Sequence, residues 1–216
     1  MTALTPSCHT AAQGTSAALD LSRLMGPAAW NRLTPAIRRR FAAGHADVSY
    51  RGQLSLERSR AGRCFAAAVR LLNSPLVSAV ESDAPAEVRV SCTPEGGVVW
   101  ERQLTLATQA RTQCVRSVKQ LGADGGLEER TSGGLGMTLQ VTEECGALVF
   151  YSRRYFLALG PLRLPIPAWL TPGPCRVEHR DEGPGRFRFT LEMRHPLLGR
   201  TFFQTGLFTD PEEIPS

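Results

Sequence analysis

The sequence of 216 residues has no long apolar run, no paired cysteine motif and almost no lysine. Without a stretch of about 18 consecutive apolar residues, no membrane-spanning helix is expected. The first basic residue is Arg23, so the charged start of a secretory signal is missing and we expect a cytoplasmic protein. The six cysteines form no C-x-x-C pair and have no zinc-type spacing with histidine, which predicts free thiols, no metal site and no cofactor.

Signatures of common enzyme classes are also absent. Neither a G-x-S-x-G motif nor a phosphate-binding P-loop occurs. The glycine-rich stretch at 132–136 precedes a predicted strand rather than a helix, so it is a turn and not a dinucleotide-binding fingerprint. We therefore assign no catalytic residue, and the sequence favours a noncatalytic protein.

The net charge of +5 comes almost entirely from arginine, because Lys119 is the only lysine. A solvated helical face is one interpretation of the densest basic region, and contact with phosphate, acidic lipid headgroups or an acidic partner is the other. No aromatic residues are interleaved there for base stacking, so nucleic-acid binding is not expected. This region contains Arg32, Arg38, Arg39, Arg40, Arg51, Arg58, Arg60 and Arg63.

Length and composition predict one globular domain over 20–210. Residues 1–19 are small and polar, with too little apolar surface to offset the entropy of ordering them, so we expect a disordered tail there and a second tail at 211–216. Within the domain, helices are predicted at 21–25, from the N-cap Thr34 to about Phe41, and at 61–73.

The rest of the domain reads as strands separated by glycine- and proline-rich turns. The connections are too short for crossover helices, which predicts an antiparallel meander. A sheet of that size must curve strongly or close. The expected fold is α+β: a strongly curved, open or closed barrel-like sheet with two or three N-terminal helices packed on or in it. Strands are predicted at 48–57, 87–93, 97–107, 111–121, 126–131, 136–144, 146–157, 175–182, 186–194 and 200–208.

Two segments depart from this pattern. The segment 160–174 contains five prolines together with apolar residues that include Trp169, which predicts a stiff extended loop and excludes an inner strand. Such a loop covers the open end of the core or gates a ligand. The stretch 177–182, VEHRDE, is interpreted as a charged edge strand with solvated ion pairs.

Arg102 is the most informative residue of the sequence. The alternation of 98–106 places it on the same strand face as Trp100 and Leu104. An inward-facing arginine needs a carboxylate or several carbonyls as partners. Three alternatives stay open. The strand face ends at a solvated rim, Arg102 forms a structural ion pair with Glu128, Glu129 or Glu178, or Arg102 binds an anionic group inside a cavity.

Three further polar residues are candidate cavity residues. Arg154 and Tyr155 follow an apolar stretch of the strand 146–157, although a core tyrosine bonded to a backbone carbonyl is an alternative. His195 precedes Pro196 in the connection 195–199, where turn geometry alone explains it, and a position at the mouth of a cavity is the other possibility. Glu128 and Glu129 point to opposite faces of their strand and make no acid and base pair.

Four short motifs follow one another along the chain: RG at 51–52, WER at 100–102, PIPAWL at 165–170 and RHPLLGRTFFQTG at 194–206. Taken in this order, they resemble a bacterial domain family of unknown function. That family occurs alone or on the C-terminal side of saccharopine-dehydrogenase-like Rossmann proteins. The resemblance covers about 20–210, supplies no reaction and no catalytic residue, and suggests a Rossmann-type dehydrogenase as a partner.

These observations lead to three hypotheses. The first is a noncatalytic module that holds a hydrophobic or lipid-like small molecule in a β-sheet cavity of at least about 300 Å³, with candidate ligand-binding residues Trp100, Arg102, Arg154, Tyr155, Trp169 and His195. The second is an enzyme of unknown reaction that uses Tyr155, His195 or a glutamate as acid or base. The third is an accessory domain that docks on a dehydrogenase-like partner through Arg38–Arg40 and the face of that helix.

Overall fold

The computed structural model describes residues 19–45, 47–71, 79–107, 111–160 and 162–211. Within these ranges there are four α-helices: α1 (Leu21–Met25), α2 (Pro27–Arg32), α3 (Pro35–Arg40) and α4 (Arg60–Leu71). None of the described helices is long and apolar enough to cross a membrane. The predicted tail 1–19 lies outside the described residues except for Leu19, which is buried and donates a backbone hydrogen bond to Gly96.

Local sequence signals set the short helices at the N-terminal side. The Asp20 side chain accepts from the Ser22 N–H at 2.9 Å and begins α1, and the Thr34 hydroxyl accepts from the Ile37 N–H and begins α3. Gly26 ends α1 at φ 77°, a conformation that glycine adopts without steric cost. The sequence did not predict α2, which starts at Pro27 in the first helical position.

The strands account for most of the remaining described chain. All of their pairings are antiparallel, as the meander prediction requires. They are β1 (Val48–Arg58), β2 (Glu81–Cys92), β3 (Val98–Leu106), β4 (Arg111–Leu121), β5 (Leu127–Thr131), β6 (Leu135–Glu144), β7 (Ala147–Leu159), β8 (Leu162–Ile166), β9 (Cys175–Asp181), β10 (Arg186–His195) and β11 (Gly199–Thr209).

Ten of these strands form a closed barrel. Strands β1 to β7 pair in sequence order, β7 then pairs with β9, β9 with β10 and β10 with β11. The pairing of β11 with β1, which places Arg51 opposite Thr209, completes the ring. The predicted fold class is confirmed, and the sheet closes.

The proline-rich segment contains one strand that the sequence did not predict. Strand β8 pairs with the second half of β7, and β9 pairs with the first half along the same edge. The two short strands therefore follow one another along that edge of β7, separated by residues 167–174. Pro165 in β8 has no amide hydrogen to donate, which suits a strand that pairs on one side only, with β7. The interpretation of 177–182 as an edge strand is wrong, because β9 pairs on both sides, with β7 and β10.

Helices cover the two ends of the barrel. At one end, the Thr34 N–H donates to Gly146 in the β6–β7 turn, and the Phe41 ring stacks on Trp100 at 5.7 Å. At the other end, the Ser59 N–H donates to Thr201 in β11, and Phe65 of α4 stacks on His195 at 5.9 Å. We call these the α3 end and the α4 end.

Candidate functional site

The barrel interior is mainly apolar, and strand alternation explains why. Every second residue of each strand points inward, and these positions supply a continuous buried core. The inward face of β3 consists of Val98, Trp100, Arg102 and Leu104, and its neighbours across the sheet are Val88 and Val90 of β2. The remaining core comes from inward residues of the later strands, among them Phe150, Val177, Phe187, Phe189, Leu191, Met193, Phe202 and Phe208.

Three charged side chains lie within this apolar interior. Lys119 of β4 is directly opposite Glu129 of β5, and its Nζ lies 3.1 Å from the Glu129 carboxylate. Arg102 is placed opposite Val115 on the same side of the sheet. Nε of Arg102 is buried and has no hydrogen-bond partner within the described part of the chain. The Lys119 ammonium also lies 5.4 Å from the Trp100 ring centre and 5.3 Å from that of Phe150, within the range of cation–π attraction.

Glu129 is ionised in this environment. Burial alone works to raise the pKa of its carboxyl group, but the positive charges of Lys119 and Arg102 outweigh that effect and lower the pKa. Two cations therefore face one carboxylate. This excess of positive charge agrees with the hypothesis that Arg102 binds an anion. Glu129 is also the nearby carboxylate that a purely structural role of Arg102 requires.

His179 lies in the interior as a neutral imidazole. It is surrounded by aromatic rings, with its ring centre 4.8 Å from that of Phe41 and 5.6 Å from that of Trp100. Burial, followed by the positive charges of Lys119, Arg102 and Arg40, lowers the pKa of His179 to about 3. The imidazole therefore adds no positive charge at neutral pH.

The interior side chains leave a cavity of about 130 Å³. Its wall includes Arg102, Lys119 and Glu129, and Val69 of α4 and Pro172 line it at the α4 end. The volume is smaller than the expected 300 Å³ or so that ordinary ligand pockets reach. The physical reason is that long inward side chains, Trp100 and Arg102 in particular, fill part of the barrel.

The predicted candidates fall into two groups. Trp100, Arg102 and Tyr155 line the cavity. Arg154 is exposed on the outer face of β7, and Trp169 is 67 % exposed in a short 3₁₀ turn (Ala168–Leu170) of the proline-rich segment. Pro172, from the same segment, lines the cavity, whereas Trp169 does not.

Tyr155 and His195 both make hydrogen bonds that hold loops in place. The Tyr155 hydroxyl donates to the Gly173 carbonyl at 3.0 Å, and burial raises the pKa of this phenol. The His195 ring is buried, and its Nδ1 accepts from the backbone N–H groups of Leu197 and Leu198 at 3.2 Å each. His195 thus stabilises the β10–β11 turn, and it does not line the cavity.

Sequence reasoning missed Lys119 and His179 as interior residues. A signal existed for Lys119, since it shares strand parity with Val115 in a chain that has no other lysine. His179 likewise shares strand parity with Val177, but the charged residues on both sides of it favoured the interpretation as an edge strand. Across the described residues, no group of three or more His, Cys, Asp or Glu side chains is arranged to hold a metal ion.

The basic region predicted for partner contact is only partly exposed. Arg40 is buried and makes a two-point ion pair with Asp210, with both N–O distances at 2.6 Å. Its guanidinium also lies 4.7 Å from the Phe187 ring centre. Arg40 therefore attaches α3 to the barrel, whereas Arg39 is exposed.

The closed antiparallel strands and the partly charged cavity define a β-barrel domain with an interior pocket. A family model described as a domain of unknown function (DUF4166) matches residues 33–208, so the chain belongs to that family. No curated protein matches the chain. The expected membership of a family of unknown function is confirmed, while a bacterial origin and an attachment to dehydrogenase-like proteins stay predictions.

The low pKa of His179 predicts a pH-dependent stability. An unfolded histidine binds a proton near its ordinary pKa of 6.5, whereas folded His179 binds one only near 3. His179 therefore makes its full contribution to the free energy of unfolding above pH 6.5. Below that pH the free energy of unfolding falls by about 1.4 kcal/mol per pH unit. Urea denaturation should show a loss of about 2 kcal/mol between pH 6.5 and pH 5.

Two histidine variants separate the sources of this slope. His179→Gln should remove most of it. His45, which also has a pKa lowered by burial but is less buried, adds a smaller part that His45→Gln removes. Glu129 and Glu178, with lowered pKa values, lose their contributions only below their ordinary value of 4.5. An unchanged slope in His179→Gln would contradict the buried neutral imidazole.

Proposed function

We propose that this protein is a noncatalytic binding module that holds a compact, partly apolar, anionic molecule inside the barrel, with Arg102 contacting the anionic group. The observation that carries the proposal is the charge balance of the cavity wall. Among the described residues lining it, Arg102 and Lys119 are cations and Glu129 is the only carboxylate.

Charge physics favours an anionic ligand. A buried charge without a counterion costs several kcal/mol, so interior charges are normally paired. Lys119 is paired with Glu129, and Arg102 remains with a buried Nε that lacks a partner. A carboxylate or similar group would neutralise the second cation and supply a planar acceptor suited to guanidinium.

The size of the cavity defines the ligand class further. A cavity of about 130 Å³ is close to the roughly 150 Å³ of an engineered cavity that binds benzene. Apolar side chains such as Val115, Leu104 and Phe189 form most of the wall. The ligand would therefore combine one anionic group with a short aliphatic or aromatic body, and a full-length lipid chain requires movement of the wall.

Binding is favoured over acid–base catalysis by the state of the interior groups. A general acid or base works best with a pKa near the operating pH. Burial moves the pKa values of the interior groups away from neutrality, down to about 3 for His179 and up to about 12 for Cys175. Each of these groups stays in its neutral form at pH 7.

The partner and the location follow as parts of the same proposal. The five described cysteines are free thiols, which supports a reducing compartment such as the cytoplasm. The resemblance to domains carried beside dehydrogenase-like proteins supports a Rossmann-type enzyme as the partner that would exchange such a ligand.

Calorimetric titration with hexanoate and benzoate, compared with hexanol and benzyl alcohol, tests the proposal. The carboxylates should bind at least about tenfold more tightly, since a hydrogen bond to a charged group contributes about 1.5–3 kcal/mol. Arg102→Met should reduce carboxylate affinity by about 10- to 100-fold for the same reason. Arg154→Met is the matched control, because Arg154 lies outside the barrel.

A second measurement distinguishes binding in the cavity from binding elsewhere. Lys119 is the only lysine, so isotope-labelled lysine gives one side-chain signal at the cavity wall. That signal should shift on addition of hexanoate in the wild type and in Arg154→Met. Equal affinity for acid and alcohol, or an unchanged affinity in Arg102→Met, would exclude the proposed role of Arg102.

A further inference from the structure

Among the residues that the structure describes, the exposed large hydrophobic side chains are concentrated at one end of the barrel. Two of them, Leu24 and Leu121, lie at or near the α3 end. At the α4 end, the most exposed is Leu197, at 86 %. The others at this end are Val80, Leu159, Leu162, Leu164, Trp169, Leu170 and Leu198.

Hydrogen bonds bring the two most apolar loops of this end together. The Thr201 hydroxyl donates to the Pro172 carbonyl at 2.6 Å, and the Arg194 N–H donates to the Pro174 carbonyl at 3.2 Å. The 3₁₀ turn with Trp169 and Leu170 therefore lies beside the β10–β11 turn with Leu197 and Leu198. We call these two loops the apolar tips.

Arginines surround the apolar tips. Helix α4 packs on the same hairpin through Phe65 and His195, and it carries exposed Arg60, Arg63 and Arg70 without any acidic residue. Arg194 and Arg200 flank the β10–β11 turn, and each is paired with one glutamate, Glu192 and Glu57 respectively. The three α4 arginines therefore add positive charge beside the tips.

From this arrangement we propose that the α4 end is a docking surface for an anionic lipid membrane, with the apolar tips inserted among the headgroups. Exposed apolar residues next to a basic surface are the features of proteins that lie on membranes, and tryptophan favours the headgroup level. Each arginine near an anionic surface adds about 1 kcal/mol to binding. This inference does not depend on the interior site.

Two features favour a membrane over a protein partner at this surface. The four exposed residues of the apolar tips lie in two turns beyond the ends of strands, which suits insertion into a fluid layer. The basic residues belong to a helix of three arginines with no acidic counterpart, which complements a uniformly negative surface. The same end also covers the cavity through Val69 and Pro172, so a membrane-bound molecule would meet the barrel there.

Vesicle sedimentation with phosphatidylcholine, with and without phosphatidylserine, tests the docking surface. The wild type should bind the vesicles that contain phosphatidylserine. Arg63→Glu with Arg70→Glu should lower the partition coefficient by about 25-fold or more, at about fivefold for each charge. Trp169→Ser with Leu197→Ser should lower it by about tenfold or more, since burying one such side chain contributes at least about 1.5 kcal/mol.

Matched variants at the α3 end serve as controls. Arg39→Glu changes an exposed arginine there, and Leu24→Ser with Leu121→Ser removes its exposed leucines. Both should bind vesicles as the wild type does. Binding to phosphatidylcholine alone with the same affinity, no binding at all, or equal losses in the α3-end variants would overturn the proposal. A dimer that Leu197→Ser dissociates would also overturn it, since the tips would then contact a second copy.

Discussion

Replacing Glu129 with glutamine should lower the free energy of unfolding by about 3–5 kcal/mol, the usual cost of breaking a buried ion pair. Glu129 is the carboxylate that faces Lys119 at 3.1 Å and also interacts with Arg102. Without it, two cations remain in an interior of low polarity with no carboxylate facing them, which costs several kcal/mol. Urea denaturation at pH 7 measures the change.

Two further variants identify the cause of that loss. Lys119→Met combined with Glu129→Gln removes both partners and should recover most of the lost stability, because no charge of the pair is left unpaired. Glu87→Gln removes a partly exposed carboxylate of the outer surface, 3.7 Å from Arg51, and should change stability by less than about 0.5 kcal/mol. If Glu129→Gln lost as little stability as Glu87→Gln, the ion pair between Lys119 and Glu129 would have to be well solvated.

Strand parity made part of this site predictable. The alternation of 98–106 was sufficient to place Arg102 inside, since one face of β3 holds Trp100, Arg102 and Leu104. The same alternation also predicted that Glu128 and Glu129 point to opposite faces of their strand. In the structure, Glu129 faces the cavity, whereas Glu128 is buried on the outer side with Arg130 and Arg163.

The pairing of Lys119 with Glu129 depends on register between strands, which alternation within one strand does not determine. The β4–β5 turn fixes this register locally. His179 depends on a more distant feature, because β9 becomes an inner strand only when β7 pairs with it across the proline-rich segment. Closure has the same origin, since β1 and β11 pair across nearly the whole length of the domain. Pairings between distant residues leave no periodic signal in sequence.

The second large effect concerns the α3 end. Phe41→Ala should lower the free energy of unfolding by about 3–5 kcal/mol, the usual cost of removing a buried phenylalanine. The Phe41 ring is buried and contacts Trp100, Phe150 and His179 at the α3 end. Urea denaturation measures the stability, and an NMR titration of the His179 ring protons reports whether water has entered.

The titration distinguishes the loss of packing contacts of Phe41 from the entry of water into the barrel. If Phe41 covers the interior, Phe41→Ala should raise the pKa of His179 from about 3 toward the ordinary value, because hydration reduces the cost of the charged imidazole. Phe203→Ala is the control: Phe203 is half-buried on the outer face beneath Arg200, so its loss should cost less and leave His179 unchanged. Equal stability losses with an unchanged His179 pKa would show that Phe41 adds contact area without excluding water.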